Sequence, residues 1–367
     1  MLSITNALKD EKYLVIAFFA VIAAYYMEHT LVSSGQTIGL ISSILLIGAI
    51  VLASLRVAHH AEILAEHVGE PYGTMILTLA AVLVEVIILA IMMGHNHSPT
   101  LARDTIYSAV MLDMNGILGL AVLLGGFKHV EQKFNYDSGK SYLIMIIAAV
   151  GLSMIIPIFI PDEKWKIYSV FSIIAMVILY GFFLRLQTGS NSYFFSYKEA
   201  DKSGKKKQVV ETHEPEGTVK GSISLLVVGV ILIGALAEVM SKTFDVGMSS
   251  FDVSPMIVAL VVAGISASPE IFTALRSALA NKMQPVVNIA LGASLSTIIL
   301  TVPVIETIAL IQGTEIEMGL TPSQLTMGAL TAFVTMISVQ DGESDAIEGL
   351  GHLALFAGFI VLAVIGV

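Results

Sequence analysis

Residues 72–93, YGTMILTLAAVLVEVIILAIMM, form an apolar run of 22 residues with one charged side chain, Glu85. About 20 apolar residues are needed for a helix to cross a bilayer. A membrane β-strand needs only about half that length and alternates in polarity. The run therefore predicts a transmembrane helix. At 1.5 Å per residue Glu85 lies ~18 Å from Gly73 and ~12 Å from Met93, close to the bilayer midplane.

Ten further runs of the same kind flank it. The predicted spans are 13–33, 36–55, 72–93, 105–126, 141–160, 167–184, 222–240, 255–275, 285–311, 323–340 and 349–366. The first is too long for a signal-peptide core and lacks a small-residue cleavage site, so it is read as a retained helix. The chain of 367 residues is 56% apolar and 13% charged, with a mean hydropathy of +0.85. Soluble domains carry about 25% charged residues. A soluble enzyme, a nucleic-acid binder and a disordered chain are excluded. With no Cys there is no disulfide, thiolate metal site or cysteine nucleophile.

None of the 19 Lys and Arg falls inside a span; fifteen lie on one side of the eleven-span arrangement and four on the other. The positive-inside rule then puts the N-terminus in the cytoplasm and the C-terminus outside. The longest connection, 185–221, contains Lys205, Lys206 and Lys207 among several acids and is read as a flexible cytoplasmic linker.

Setting the first span aside, ten spans divide five and five around that linker. Five is odd, so any likeness between the halves is an inverted repeat, as in many secondary transporters. Glu85 follows Pro71 by fourteen residues and Glu270 follows Pro255 by fifteen. Each Glu precedes a helix of small or polar residues, beginning at Ser108 and Gly292 respectively. The expected fold is an all-α polytopic membrane protein of about eleven transmembrane helices. Its parts are an N-terminal helix (1–35), a first five-helix repeat (36–186), a linker (187–221) and a second, inverted repeat (222–367).

Six acids lie within the spans: Glu28, Glu85, Asp113, Glu238, Glu270 and Glu306, with no basic residue in any span to pair with them. Intramembrane acids are expensive and mark functional sites by default. Unpaired, they must be protonated or bind a cation. Desolvation favours the protonated carboxyl, and hard cations prefer oxygen ligands. A pair of central Glu can hold protons or a cation, not both, and competition for one site gives exchange. Glu85 and Glu270 are the central candidates. Glu28 and Glu306 are read as structural, and Glu238 lies near a span end.

At these residues the chain resembles the cation/proton exchanger family of the calcium/cation antiporter superfamily, in particular its bacterial ChaA-type branch. The resemblance runs in order through Ala61–Gly73 (AEILAEHVGEPYG), Glu85, Ala235–Glu238, Ser254-Pro255, Pro269-Glu270, Asn281–Met283, Ala290–Ser294, Asp341–Ser344 and Glu348-Gly349. It implies that Glu85 and Glu270 bind cation and protons in turn, with Asp113, Glu238, Ser266, Ser294 and Ser296 as surrounding polar groups. The implied activity is export of calcium against protons by alternating access, without a cofactor, in a bacterial inner membrane. The alternative cargo is sodium or potassium. Four departures are visible. Ala81-Val82 and Ser266-Ala267 stand where the family writes Gly-Asn, Ile271 stands where His is usual, and Asp113 occupies a position of Asn. The linker is mixed in charge where the family often has an acidic helix.

Other groupings are weaker. His59, His60, Glu62, Glu66 and His67 suit a solvated cytoplasmic face. His95-Asn96-His97 offers two imidazoles, too few for a metal site, and His352 is read as a packing residue. No His-Glu-x-x-His or phosphate-loop motif occurs, so neither a zinc protease nor an ATP-driven pump is indicated. A passive channel is the remaining rival, but channels usually build rings from several subunits. Candidate partners are lipid, the transported cations and protons, and a second copy of the chain.

Overall fold

The computed structural model describes residues 11–69, 72–95, 98–189, 192–195, 218–249 and 254–366. Glu70-Pro71, Asn96-His97 and Lys205–Lys207 fall outside these. In hydrocarbon a spanning segment must satisfy its own backbone groups, so the apolar runs become helices. They are α1 (Lys12–Ser33), α2 (Gln36–Val68), α3 (Tyr72–His95), α4 (Leu101–His129), α5 (Tyr136–Phe159) and α6 (Trp165–Thr188). Then come α7 (Val219–Met248), α8 (Pro255–Ser266), α9 (Ser268–Leu279), α10 (Met283–Gln312), α11 (Pro322–Ser338) and α12 (Ala346–Ile365). Every predicted span coincides with one of these helices or, for 255–275, with a pair of them. Among the described residues, nine are long and apolar enough to cross a membrane. The bent pair α8–α9 would make a tenth, and α11 has 17 residues.

Two helices run well past their predicted ends. The sequence places span 36–55 short of Arg56, but α2 continues to Val68, because polar residues end a membrane span without ending a helix. Gly69, at φ +76°, ends it. Likewise α7 continues from residue 240 to Met248 and carries Lys242.

The predicted span 255–275 is not one straight helix. It bends by 61° between α8 and α9. Pro269 supplies no backbone N–H and cannot continue the α8 ladder. The Ser266 and Ser268 hydroxyls donate to Ala263 O (3.0 Å) and Ile265 O (2.8 Å), satisfying carbonyls near the break.

Helices α4 and α10 form the centre and are mostly buried, whereas the peripheral α1 is mostly not. Each contains a widened π turn, Leu112–Ile117 in α4 and Thr297–Thr301 in α10. A π turn holds one extra residue and is frequent at functional sites. The all-α expectation has one small exception. Glu131–Lys133 and Glu343–Asp345 pair as an antiparallel ladder, β1–β2, joining the two halves at their lysine-rich end.

With lipid as solvent, helix association depends on close packing of small residues. Helix α12 lies so near α4 that a Cβ on Gly349 would sit 2.3 Å from Leu123 N. Gly349→Ala must therefore part the two backbones, at a cost of about 1–3 kcal/mol. A methyl added to Gly351, on the same helix, would meet nothing within 4 Å among the described residues. Thermal unfolding in detergent should show a clear loss of Tm for Gly349→Ala and none for Gly351→Ala.

Candidate functional site

The bend and the two π turns bring one acid from each half to the centre. Glu85 on α3 is 4% exposed. Its Oε2 accepts a hydrogen bond from Thr297 Oγ1 at 2.7 Å, while Oε1 is buried without a partner among the described residues. Thr297 opens the π turn of α10, so the first-half acid rests on the second-half turn. A second contact runs in the same sense. Asp113, in the π turn of α4, is buried and accepts from Ser294 Oγ of α10 at 3.4 Å. Glu270, in the first turn of α9 just after the bend, is half-buried, and its Oε2 has no partner among the described residues. Asp113 lies within electrostatic reach of both Glu85 and Glu270. Among the described residues, no Lys, Arg or His forms an ion pair with any of the three.

These three acids line a cavity of about 340 Å³, together with Ser266, Ser296 and Thr297. Ser294 touches the site through Asp113 and also donates to Ala290 O at 3.0 Å. The cavity extends to Glu62, Gln187 and Pro285, beside the loops at the lysine-rich end. Glu62 is exposed there, so a residue read from sequence as a solvated face forms part of the cavity mouth. Among the described residues no three His, Asp or Glu side chains converge closely enough to cage a metal ion.

Glu238 is not brought to this site, and the expectation that the intramembrane acids have no basic partner is corrected for two of them. Lys242 Nζ binds Glu28 Oε1 at 2.8 Å and Glu238 Oε1 at 3.1 Å. Lys242 lies beyond the predicted span end, but four residues is one helical turn, so its side chain reaches back along α7. Tyr25 of α1 donates to Glu238 Oε2 at 2.7 Å, completing a cluster that docks the N-terminal helix. Glu306 is 2% exposed, beside Tyr168 and Ser172 of α6, and does not line the cavity.

The opposite end is closed by groups the sequence did not single out. After α10 the chain runs extended to Thr321, burying Ile316, Met318 and Leu320. Glu317 N donates to Pro99 O and Leu320 N to Met154 O, both at 2.9 Å, which straps the second half across the first. Arg103, 5% exposed, pins this strap. Its Nε donates to Asp104 Oδ1 (2.9 Å) and its Nη1 to Glu317 Oε1 (3.1 Å) and Gly319 O (3.0 Å). Gln324 of α11 donates to the same Asp104 oxygen at 2.8 Å. Between this pin and Asp113, the buried hydroxyls of Thr105 and Ser108 have no partner among the described residues.

Two matched blocks, residues 35–189 and 221–365, fit the sodium/calcium exchanger protein family. The chain belongs to this family, a class of integral membrane transporters. It is 33% identical to the y4hA protein of Sinorhizobium fredii, over 95% of this chain and 94% of that protein. It is 30% identical to the sodium-potassium/proton antiporter ChaA of Escherichia coli, over 89% of this chain and 90% of that one. The ChaA-type resemblance drawn from the motifs is thus borne out. The fold is shared with native YfkE (TM-score 0.75, 18% identity, covering 96% of this chain and 99% of that one). It is also shared with the H+/Ca2+ exchanger CAX (TM-score 0.66, 13% identity, covering 96% and 88%).

Proposed function

We propose that the protein is a secondary cation/proton antiporter of a bacterial inner membrane, working by alternating access at Glu85 and Glu270. The observation that carries this reading is the set of three acids, without basic partners among the described residues, lining one cavity open at one end. With the lysine-rich end placed in the cytoplasm by the positive-inside rule, the cavity faces inward and the Arg103 strap closes the outer route. A cation entering from the cytoplasm displaces protons from Glu85 and Glu270. After the site turns outward, protons from outside displace the cation. An electrogenic cycle also couples to the membrane field, ~2.3 kcal/mol per charge per 100 mV.

Sodium or potassium is the cargo best supported. Calcium takes about 6–8 oxygen ligands, whereas the groups flanking the acids are Ala81, Val82, Ala267 and Ile271. ChaA of Escherichia coli carries a monovalent pair in its name. A specific observation favours calcium as the second reading: Asp113 adds a third carboxylate, and more negative charge suits a divalent ion. The Ca(2+)/H(+) antiporter of Aphanothece halophytica is a relative at 22% identity.

Proteoliposomes loaded with a pH-sensitive dye separate these readings. Adding sodium or potassium to vesicles holding a pH gradient should dissipate it. A response to calcium alone would give the second reading. Cation flux with no proton counterflow at any pH would sink exchange and leave a passive channel.

A further inference from the structure

We propose that Asn115 and His352 are positioning residues that set the aim of Asp113 from behind, through the π turn that carries it. The inference rests on Asp113 being part of the cation site proposed above.

Asp113 and Asn115 are two residues apart in one helical turn, so they point in roughly opposite directions. Asp113 lines the cavity. Asn115 is 0% exposed and points to the last two helices. Its Nδ2 donates to Thr331 Oγ1 of α11 at 2.7 Å, and its Oδ1 meets His352 Nδ1 of α12 at 3.1 Å.

The orientation of the Asn115 amide sets the sense of this chain. An amide oxygen only accepts, so His352 Nδ1 must carry the ring proton and Nε2 is left bare. Nε2 is indeed buried without a partner among the described residues. Thr331, having accepted from Asn115, directs its own proton to Met111 Sδ at 3.6 Å. The order is imidazole, amide, hydroxyl, thioether. It holds Met111, one residue before the π turn, and Asn115, inside it.

Holding both points matters because a π turn has an alternative. Returning to α geometry removes the extra residue and rotates the helix beyond it by about 100°. Such a shift would swing one side of the turn relative to the other and carry Asp113 off the cavity wall. The network at the back favours the widened form. His352 is itself held by close packing: a Cβ on Gly119 would lie 2.8 Å from the His352 Cβ. A leucine would fill this space equally well and spare the cost of an unpaired buried nitrogen. What the imidazole adds is the Nδ1 proton.

The test is cation dependence of transport in proteoliposomes, with folded yield and Tm recorded for each variant. His352→Leu removes the donor. Thr331→Val is nearly isosteric and removes the acceptor with little risk to folding. Each should raise the KM for the transported cation roughly tenfold, the lower end of what outer partners of a bound ion contribute, with the maximal rate within about twofold. His352→Asn keeps an N–H close to where Nδ1 was and should restore KM. The double variant His352→Leu/Thr331→Val should be no worse than the more severe single one, since both break one network.

Asp113→Asn, measured alongside, separates the positioning role from the site itself. If it raises KM while His352→Leu and Thr331→Val leave KM at the wild-type value, the positioning role is overturned and the site stands. If only folded yield and maximal rate fall in the His352 and Thr331 variants, the residues merely pack, which also overturns it. If Asp113→Asn leaves KM unchanged, the site reading fails, and this inference with it.

Discussion

Glu85→Gln is expected to abolish exchange while leaving a folded protein, and Glu270→Gln to do the same. Glutamine matches glutamate in shape, and its amide oxygen can still accept the Thr297 hydrogen bond that Glu85 holds at 2.7 Å. It cannot take up or release a proton near neutral pH, nor neutralise a cation. The loss should exceed about a hundredfold, since even outer partners of a bound metal contribute about 10–100-fold. Dye-loaded vesicles give the rate, and Tm with gel-filtration profile gives the fold. The folded fraction should hold or rise, because an unpaired buried acid costs several kcal/mol when charged and an amide does not. Full activity in either variant would remove that residue from the mechanism. Equal loss in both, with Glu306→Gln unaffected, would separate the cavity acids from the buried acid outside it.

The amount of this arrangement legible in the sequence depends on which physical signals are long and which are local. A run of 20 apolar residues is a long signal, and every predicted span met a helix. Glu85 and Glu270 stood out because hydrocarbon makes a charged side chain conspicuous. The features that shape the site are local. The widened turns at Leu112–Ile117 and Thr297–Thr301 add one residue to a turn and have no composition of their own. Pro269 marked a break, but the apolar run continued across it, so a 61° bend read as one span. Thr297 lay within the helix of small or polar residues that begins at Gly292, but nothing in spacing distinguished it from Ser294 or Ser296 as the partner of Glu85. Lys242 was misjudged because span boundaries describe backbone position, whereas a lysine side chain can reach a full turn. Arg103 and Asp104 fall just outside the predicted span 105–126. Only the tertiary fold, by laying residues 313–321 over them, buries them.

That buried pin carries the second large prediction. Arg103→Met should open the outer route. Breaking a buried pair by removing one partner costs about 3–5 kcal/mol, because the other charge stays behind. Asp104, 3% exposed, would keep, among the described residues, the Gln324 hydrogen bond alone. The cost falls on the conformation in which Asp104 is buried. If outward opening hydrates it, the balance moves toward that form by two orders of magnitude or more at about 1.4 kcal/mol per tenfold. The unpartnered hydroxyls of Thr105 and Ser108 lie below the pin and would become wall lining of the opened route. The chain has no native cysteine, so a thiol introduced at Ser108 is the sole target for a membrane-impermeant reagent. Ser108→Cys should be inert in the parent background and at least about tenfold more reactive from outside with Arg103→Met. Gln187→Cys, at the mouth of the inner cavity, should change in the opposite sense, reacting more slowly from the cytoplasmic side. A single equilibrium cannot open both ends, so this reciprocal change is the signature of a gate. If Arg103→Met lowers Tm and leaves Ser108→Cys inert in the folded protein, the pin serves only the stability of the strap, and the outer route must open elsewhere.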